Sequence, residues 1–425
     1  MADAPLAEAA KRGLIGKPAA ARPMSAERWR REQRAAVDKS EDIMRRALQQ
    51  PGLLAQYEWM RARYEADDGR IFRMIFGQYF SWFQTWVGDY VGARTSFSLA
   101  QPAQPDDAPP PRANGFHASP AHAAIVRLAH GRKAVFVNES HSAPVTRTLT
   151  VELLGDLRAQ GFDYFAAETL AMSPQQTMQR GYPTARSGFY VNEPVYGEMI
   201  RTAARLGFHI IAYDAEEGAA DVRERAAAQS LYDQVFARDP DARLVVNAGF
   251  SHIQKSGDYF GGASMAQIFR TISGIEPLTV EQTMMLDHPR ADDDHPIYRA
   301  ALASSHPNVP FVYEDDAGKP WTLKPTQYDV SVFFPPETVS GGRPDWLDLG
   351  GARRPYTIGG ADCLRRFPCL IEARYAEEGD DAVSADRVAL EADGSSRLYL
   401  VPGSYRLSAF DRDGNVIAAR NILQP

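Results

Sequence analysis

The 425-residue sequence contains little cysteine, no long apolar run and no excess of positive charge. Its two cysteines, Cys363 and Cys369, cannot build a disulfide scaffold, so they form either one local bridge or two separate buried thiols. Because no run of about 18 apolar residues occurs, we expect no membrane-spanning helix. The net charge of -7 argues against nucleic acid as a partner.

Two common catalytic motifs are also missing. No Gly-x-Ser-x-Gly elbow occurs, which argues against a serine hydrolase of the α/β type. The glycines between 257 and 262 lack the Lys-Ser/Thr ending of a phosphate-binding loop. These absences direct attention to carboxylates and imidazoles as the source of any chemistry.

The composition, with 44% apolar and 24% charged residues, is that of globular domains, and the length suits two or three of them. Residues 1–23 predict a loose tail, and a helical region follows to about residue 100. The N-terminus lacks the apolar core of a signal peptide but resembles the start of a mature exported chain. A periplasmic or secreted location is therefore favoured, and the compartment stays open.

The strongest helical pattern is an aromatic stripe between 71 and 90. Its large apolar side chains recur every three or four positions, which places them on one face of a helix. The members are Phe72, Phe76, Tyr79, Phe80, Phe83, Trp86, Val87 and Tyr90. Such a face either lies on a membrane or a partner, or is buried against the main domain. Arg73, Gln78 and Asp89 do not form a basic polar face, so burial is predicted.

The pattern along the chain predicts an α/β fold between two other regions. The Pro-rich stretch 101–120 predicts a linker or a long loop. In 121–325, apolar runs alternate with helical patterns, which predicts a mostly parallel sheet flanked by helices. Residues 326–425 are β-rich and, from about 360, predict a small antiparallel, sandwich-like module. Within it, Asp413-Gly414-Asn415 is a strong hairpin signal.

Acidic and histidine residues follow four predicted strands, at 134–137, 164–167, 209–213 and 243–247. Sites in open parallel sheets form beyond the carboxyl ends of the strands, so these side chains are expected to meet. They are Glu139, His141, Glu168, Asp214, Glu216, Glu217 and His252. Each alone could be a helix cap, an ion-pair partner or a turn residue, but the succession of strand ends favours a functional site.

The cluster predicts activation of water. Two imidazoles and a carboxylate can hold a divalent cation, whose bound water has a pKa of about 7. His141, Glu168, His252 and Asp214 are the predicted ligands, for zinc, manganese or cobalt. Without metal, a histidine oriented by a glutamate can take a proton from water directly. Arg223 would neutralise Glu168 or hold an oxyanion, or else it is a plain surface charge.

Four short segments resemble the superfamily that joins erythromycin esterases, ChaN haem-binding lipoproteins and TraB/TIKI proteases. Asn138-Glu139-Ser140-His141 is similar to the Gly-Glu-x-His motif, with Asn138 replacing the glycine. Glu168, after the next predicted strand, resembles the essential glutamate of the family. Arg223-Glu224-x-x-Ala227-Ala228 resembles an Arg-acidic-x-x-Met-Ala stretch, and Gly249-Phe250-Ser251-His252 matches the second Gly-x-x-His motif. The likeness covers about residues 125–285.

The resemblance implies a hydrolase or a haem protein. TIKI-like relatives are metal-dependent proteases, esterase relatives open a lactone, and ChaN relatives bind haem through His and Tyr, for which Tyr213 and Tyr259 are candidates here. We predict a hydrolase that cleaves an ester or peptide bond in a small-molecule or peptide substrate. The catalytic residues would be Glu139, His141, Glu168, His252 and Arg223. Haem or cofactor binding without catalysis is the alternative, and a non-catalytic interaction module is the third hypothesis.

Overall fold

The computed structural model describes residues 25–170, 174–214, 218–304 and 306–425. The chain divides into two compact units. The first contains the helical region up to Phe97 together with Asn192–Pro194 and Val339–Pro425, and the second contains Ser98–Val191 and Val195–Thr338. The segment boundaries expected from the sequence, near 100, 120 and 325, stay predictions.

The first unit begins with four helices. They are α1 (Ala26–Ala47), α2 (Leu53–Ala66), α3 (Arg70–Trp86) and α4 (Tyr90–Ser96). The hydroxyl of Ser25 caps α1 by accepting the backbone N–H of Arg28. Helix α3 carries the aromatic stripe as far as Trp86, and all its residues from Ile75 to Trp86 are buried, as predicted. The predicted continuation of one helix to Tyr90 is wrong, because α3 ends at Trp86 and Tyr90 begins α4. None of the described helices is long and apolar enough to cross a membrane.

The second unit is built on an eight-stranded sheet. Its strands are β1 (His117–Pro120), β2 (Ala134–Glu139), β3 (Tyr164–Ala167), β4 (His209–Ile211), β5 (Leu244–Gly249), β6 (Leu278–Met285), β7 (Phe311–Glu314) and β8 (Val330–Phe333). They lie in the order β1-β7-β8-β6-β2-β5-β3-β4. The run from β8 to β4 is parallel, and β7 and β1 add an antiparallel edge. The predicted, mostly parallel sheet is confirmed.

Helices alternate with these strands along the chain. They are α5 (Ala121–Ala129), α6 (Val145–Ala159), α7 (Pro174–Arg180), α8 (Pro194–Arg205), α9 (Ala220–Leu231), α10 (Met265–Ser273) and α11 (Pro296–Leu302). The core of the sheet is a cluster in which side chains of β2 and β5 pack against α9 and α10. The rings of Phe136 and Phe269, for example, lie 5.1 Å apart. This packing fixes the central strands whose ends carry the acidic and histidine residues.

The segment 101–120, predicted as a linker, is partly a strand. Its last residues, His117–Pro120, form β1 and pair in register with Phe311–Glu314 of β7. Proline is tolerated on an edge strand, where its missing N–H need not pair, and this hid the strand from the sequence pattern. Earlier in the segment, Asp107 receives Lys324 Nζ at 2.8 Å. The linker prediction is therefore wrong for the last part of this segment.

The C-terminal part of the chain forms small antiparallel sheets. The strands are β9 (Val339–Ser340), β10 (Arg343–Pro344), β11 (Arg354–Gly359), β12 (Cys369–Tyr375), β13 (Asp386–Leu390), β14 (Ser395–Leu400), β15 (Gly403–Phe410) and β16 (Val416–Gln424). The largest sheet has the order β13-β12-β15-β16, while β11 pairs with β14 and β9 with β10. The predicted hairpin joins β15 to β16, and Gly414 adopts a left-handed φ of 78° in its turn.

Cys363 and Cys369 form a disulfide, which settles the choice that the sequence left open. Both are fully buried in an apolar cluster with Ile371 and Leu398. Disulfides persist mainly in oxidising compartments, and the periplasmic or secreted location stays a prediction.

Candidate functional site

The candidate site lies where three neighbouring parallel strands end. Glu139 is the last residue of β2 and pairs in register with Gly249, the last residue of β5. Glu168 follows directly after β3, the other neighbour of β5. The carboxyl ends of parallel strands meet at one edge of a sheet, so these groups converge there. His141 and His252, just beyond β2 and β5, join them.

Glu139 and His141 form the first buried pair. Glu139 Oε1 lies 2.9 Å from His141 Nδ1, and Arg147 donates to both carboxylate oxygens at 2.7 and 2.8 Å. Asn247 Nδ2 donates to Oε2 at 3.1 Å. Burial favours the neutral acid, but Arg147 and His141 outweigh it and hold the pKa of Glu139 well below its usual range. Glu139 therefore fixes the proton on Nδ1, and Nε2 of His141 faces the next carboxylate.

Glu168 is that carboxylate, and it lies between two imidazoles. Its Oε1 is 3.6 Å from His141 Nε2 and 3.9 Å from His252 Nε2. The backbone N–H of Gly249 donates to its other oxygen, and Tyr196 donates its hydroxyl to the Glu168 carbonyl at 2.6 Å. Burial disfavours the charged form, yet His141, His252 and the Gly249 N–H together lower the pKa of Glu168. Glu168 is thus held as an anion at the centre of the site.

His252 and Glu224 form a second pair of the same design. His252 Nδ1 lies 2.7 Å from Glu224 Oε1, and the other Glu224 oxygen accepts the backbone N–H of Met265, at the start of α10, at 2.6 Å. Burial opposes protonation of His252, but Glu224 and Glu168 outweigh it and raise its pKa to about 9. The hydroxyl of Tyr259 lies 3.3 Å from Nε2.

Glu224 is the site residue that sequence reasoning missed as a catalytic candidate. It lies inside α9 and not after a strand, so the succession of strand ends in the sequence does not include it. The signal was present in the acidic position that follows Arg223 in the resemblance.

Close packing holds the first histidine in place. The ring of His141 stacks on Tyr190 with centroids 3.9 Å apart, and the Phe250 ring meets it edge-on at 5.2 Å. The pKa of His141 is raised, because Glu168 and Glu139 outweigh the effect of burial. Its side chain is 1% exposed, against 12% for His252. His252 is therefore the more accessible of the two imidazoles.

Both strand-end turns adopt unusual backbone conformations. Thr169, after Glu168, has a φ of 58°, and Phe250, after Gly249, has a φ of 45°. Residues with a Cβ rarely adopt this left-handed region, and such strain concentrates at functional sites. The surrounding contacts therefore hold the two turns that place Glu168 and His252.

The remaining predicted residues have separate positions. Arg223 is buried on α9; burial lowers its pKa, and the charge of Glu224 opposes that effect. Asp214 follows β4, and its charge is one of those that raise the pKa of His252 against the effect of burial. Tyr213 donates its hydroxyl to the carbonyl of Asn247 at 3.2 Å. The predicted Glu216 and Glu217 lie outside the described residues.

The side chains of the site have the chemistry of metal ligands but not the spacing. No group of three His, Cys, Asp or Glu side chains within the described ranges is placed so that it could hold a metal ion as it stands. Nε2 of each histidine faces the same Glu168 oxygen, at 3.6 and 3.9 Å. Tetrahedral ligands of zinc are separated by about 3.4 Å, so both distances are wider than those between bound ligands. The donor set therefore fits such a metal in the chemistry of its atoms.

Comparisons with known proteins give only distant structural likenesses. No protein-family model and no curated protein sequence matches the chain. The type III effector HopBA1 is 13% identical with a TM-score of 0.30, over 45% of this chain and 95% of that one. A structure described as bacterial protein toxins is 13% identical with a TM-score of 0.31, over 65% of this chain and 53% of that one. RRSP, a MARTX toxin effector domain from Vibrio vulnificus CMCP6, is 14% identical with a TM-score of 0.29, over 65% and 51%. The matched region thus spans about half the length of the two toxin chains. Likenesses at this level carry no argument about function.

Proposed function

We propose that the chain is a hydrolase that activates water at Glu168, His141 and His252 to cleave an ester or peptide bond. The observation that carries the proposal is that two Glu-oriented imidazoles direct their Nε2 atoms to one oxygen of Glu168. In each pair a carboxylate on Nδ1 fixes the ring, as in catalytic triads. The resemblance to esterases and TIKI proteases points to the same chemistry and stays part of the proposal.

The two histidines would divide the work. His252 is the more exposed of the two and would act as general base, taking a proton from a water that Glu168 orients. The hydroxide so formed adds to the carbonyl carbon of the substrate. His141, buried between Glu139 and Glu168, would stay protonated throughout. Its Nε2–H would donate a hydrogen bond to the developing oxyanion. The imidazolium of His252 then returns its proton to the leaving group as the scissile bond breaks.

A divalent metal would use the same side chains. Nε2 of His141, Nε2 of His252 and Glu168 would hold it, with Glu139 and Glu224 as the outer carboxylates that orient both rings. When bound, zinc, manganese or cobalt would supply a water of lowered pKa and polarise the substrate carbonyl. Asp214 stays a proposed further ligand. The haem alternative gains no support from Tyr213, since its hydroxyl is engaged by the Asn247 carbonyl.

The test is hydrolysis of a panel of nitrophenyl esters, lactones and fluorogenic peptides by the purified chain, with and without each metal. We expect Glu168→Gln and His252→Gln to lower kcat/KM by at least about 100-fold at pH 7.5. In the wild type, kcat/KM without metal should rise with pH to a midpoint near the pKa of about 9 that Glu224 and Glu168, against burial, give His252.

His130→Gln is the matched control, because this histidine is exposed and caps α5 away from the strand ends. It should keep wild-type activity. Full activity in Glu168→Gln, with the fold intact by circular dichroism, would contradict the proposal. A saturable Soret shift with hemin, without hydrolysis of any substrate, would replace it with cofactor binding.

A further inference from the structure

The turn that places His252 in the site is bound by Asn138, a residue to which the proposed mechanism gives no role. The turn begins at Phe250, whose φ of 45° is left-handed although the residue has a large side chain. Two residues later His252 meets Glu224 at 2.7 Å. One residue earlier the N–H of Gly249 donates to Glu168. The conformation at Phe250 therefore sets the positions of two site groups together.

Asn138 is the side chain that binds this turn. It is fully buried near the end of β2, and its Nδ2 donates to the carbonyl oxygen of Phe250 at 2.7 Å. On its other side Oδ1 accepts the backbone N–H of Gln282 at 2.6 Å. An N–H faces one end of the amide and a carbonyl faces the other, so only one orientation of the group satisfies both.

A buried carboxylate supports that orientation. Glu281, on β6, lies with Oε1 3.4 Å from Asn138 Nδ2, and the same oxygen accepts the N–H and the hydroxyl of Thr283 at 2.5 and 2.7 Å. This accepting oxygen faces the donor end of the Asn138 amide. Gln282 adds a further link, since its Nε2 donates to the Asn138 carbonyl at 2.6 Å.

We infer that Asn138 is a positioning residue of the site, whose amide, oriented by Glu281, holds the left-handed turn at Phe250 and so places His252 against Glu224 and Glu168. The inference rests on the proposed function for its importance, and on the contacts of Asn138 for its geometry. The position is also where the sequence departs from the Gly-Glu-x-His motif. A glycine there has no side chain to reach the turn, so this chain depends on a contact that the motif residue cannot make.

The experiment follows His252 directly and requires no substrate. In the full-length protein with labelled histidine, NMR at a single pH gives the ring signals of each imidazole and the proton–proton contacts between His252 and Tyr259, whose rings lie 5.2 Å apart. Asn138→Asp places an oxygen against the Phe250 carbonyl, and Asn138→Ala removes the contact. In both variants we expect the His252 ring signals to shift and the His252–Tyr259 contacts to weaken, because the turn no longer holds the ring in its position. Histidine signals outside the site should not change.

Asn421→Asp is the matched control, because it makes the same chemical change at an exposed position on β16. It should leave every histidine signal as in the wild type. A folded Asn138 variant with unchanged His252 ring signals and unchanged His252–Tyr259 contacts would overturn the inference. If neither variant at 138 folds, Glu281→Gln decides in the same way, since it keeps the shape and replaces one oxygen of the carboxyl group with an amide donor.

Failure of the inference and failure of the proposed function remain distinguishable. A displaced His252 ring in a protein that hydrolyses nothing would support the positioning role and reject the hydrolase. Where hydrolysis occurs, a positioning role predicts a loss in kcat that exceeds any change in KM.

Discussion

The Cα atom of Gly249 lies close to both His141 and Glu168, the two side chains that face each other in the site. A Cβ built there would lie 2.3 Å from His141 Nε2 and 2.9 Å from Glu168 Oε2, and both side chains are buried and held by other bonds. Glycine is therefore required here for space. Its φ of -73° is open to any residue, so the left-handed region is not the reason.

We expect Gly249→Ala to push the histidine and the carboxylate apart. Overpacking of this kind costs about 1–3 kcal/mol of unfolding free energy. We expect the protein to stay folded while kcat/KM falls strongly, because the contact between His141 and Glu168 is lost. Gly155→Ala is the control, since nothing lies within 4 Å of a Cβ at that helical glycine. It should stabilise the fold by about 0.5–1 kcal/mol. Urea unfolding and kcat/KM measure the two effects, and wild-type activity in Gly249→Ala would show that the contact is not needed.

The raised pKa of His252 links the stability of the fold to pH. Burial opposes protonation, but Glu224 and Glu168 raise the pKa from 6.5 to about 9, so the imidazolium stabilises the folded state. This contribution is fully present below a pH of about 6.5 and is lost as the pH rises through about 9. It amounts to about 3 kcal/mol.

His252→Gln isolates this effect, because all other titrating groups remain in both proteins. We expect the difference in unfolding free energy between wild type and variant to be largest at pH 6 and to shrink steadily towards pH 9.5. Urea denaturation at several pH values gives this difference directly. A difference that stays constant across the range would mean that folding does not raise the pKa of His252.

Among the helices and strands, α3 shows why a helix rich in aromatic residues is buried in a core and does not bind a membrane surface. Its stripe suited either a membrane surface or a core, and the missing basic face argued for the core. In the structure the helix packs against the other three helices of its unit, and the rings of Phe72 and Phe76 stack 4.9 Å apart. Phe76 is completely buried.

Phe76→Ala should therefore cost about 3–5 kcal/mol of unfolding free energy, because it leaves a cavity among aromatic rings. Val91→Ala, at an exposed position on the neighbouring helix α4, should change stability by less than about 0.5 kcal/mol. Thermal and urea unfolding measure both. An unchanged stability in Phe76→Ala, coupled with lost binding to anionic vesicles, would instead favour the membrane-surface interpretation.

The strands and helices also show which parts of the fold and of the site the sequence could predict. Strands β2, β3 and β5 were predictable, since each is an apolar run that stops at a polar residue, and their parallel order brought Glu139, Glu168 and His252 together. Strand β1 was not, because four residues ending in proline carry no apolar alternation. The pairing of Glu224 with His252 depends on how α9 packs beside β5, and no local pattern encodes that packing.

At the scale of the whole molecule, the first unit is assembled from distant parts of the sequence. Asn192–Pro194, from the middle of the chain, belong to it: Tyr90 donates its hydroxyl to Glu193 at 2.8 Å, and Arg387 donates to the Asn192 carbonyl at 3.1 Å. The helices and the C-terminal sheets thus share one unit although more than two hundred residues lie between them. The sequence pattern assigns these parts to separate regions, because the local spacing of apolar residues carries no information about contacts between residues far apart in the chain.

Arg343 is the residue that joins these parts most directly. It is fully buried, its Nη2 lies 2.5 Å from Asp386 on β13, and its Nη1 donates to the carbonyl of Gly88, between α3 and α4, at 2.8 Å. A second bond from Nη1 reaches the carbonyl of Arg387 at 3.0 Å. One guanidinium therefore satisfies groups from the helical region and from the C-terminal sheet.

We expect Asp386→Leu to cost about 3–5 kcal/mol, because it leaves the guanidinium buried without its counter-ion. The double variant Arg343→Met/Asp386→Leu should recover part of this loss, since it removes both charges. Asp393→Ala, which breaks an exposed pair with Arg365, should cost less than about 1 kcal/mol. With Trp321→Phe and Trp346→Phe as the common background, tryptophan fluorescence reports the helices alone. Amide hydrogen exchange of β12 and β15 at each urea concentration reports the sheet. If the first unit is one cooperative body, both signals should shift to lower urea by the same amount in Asp386→Leu. Separate shifts would show that the helices and the C-terminal sheets unfold independently.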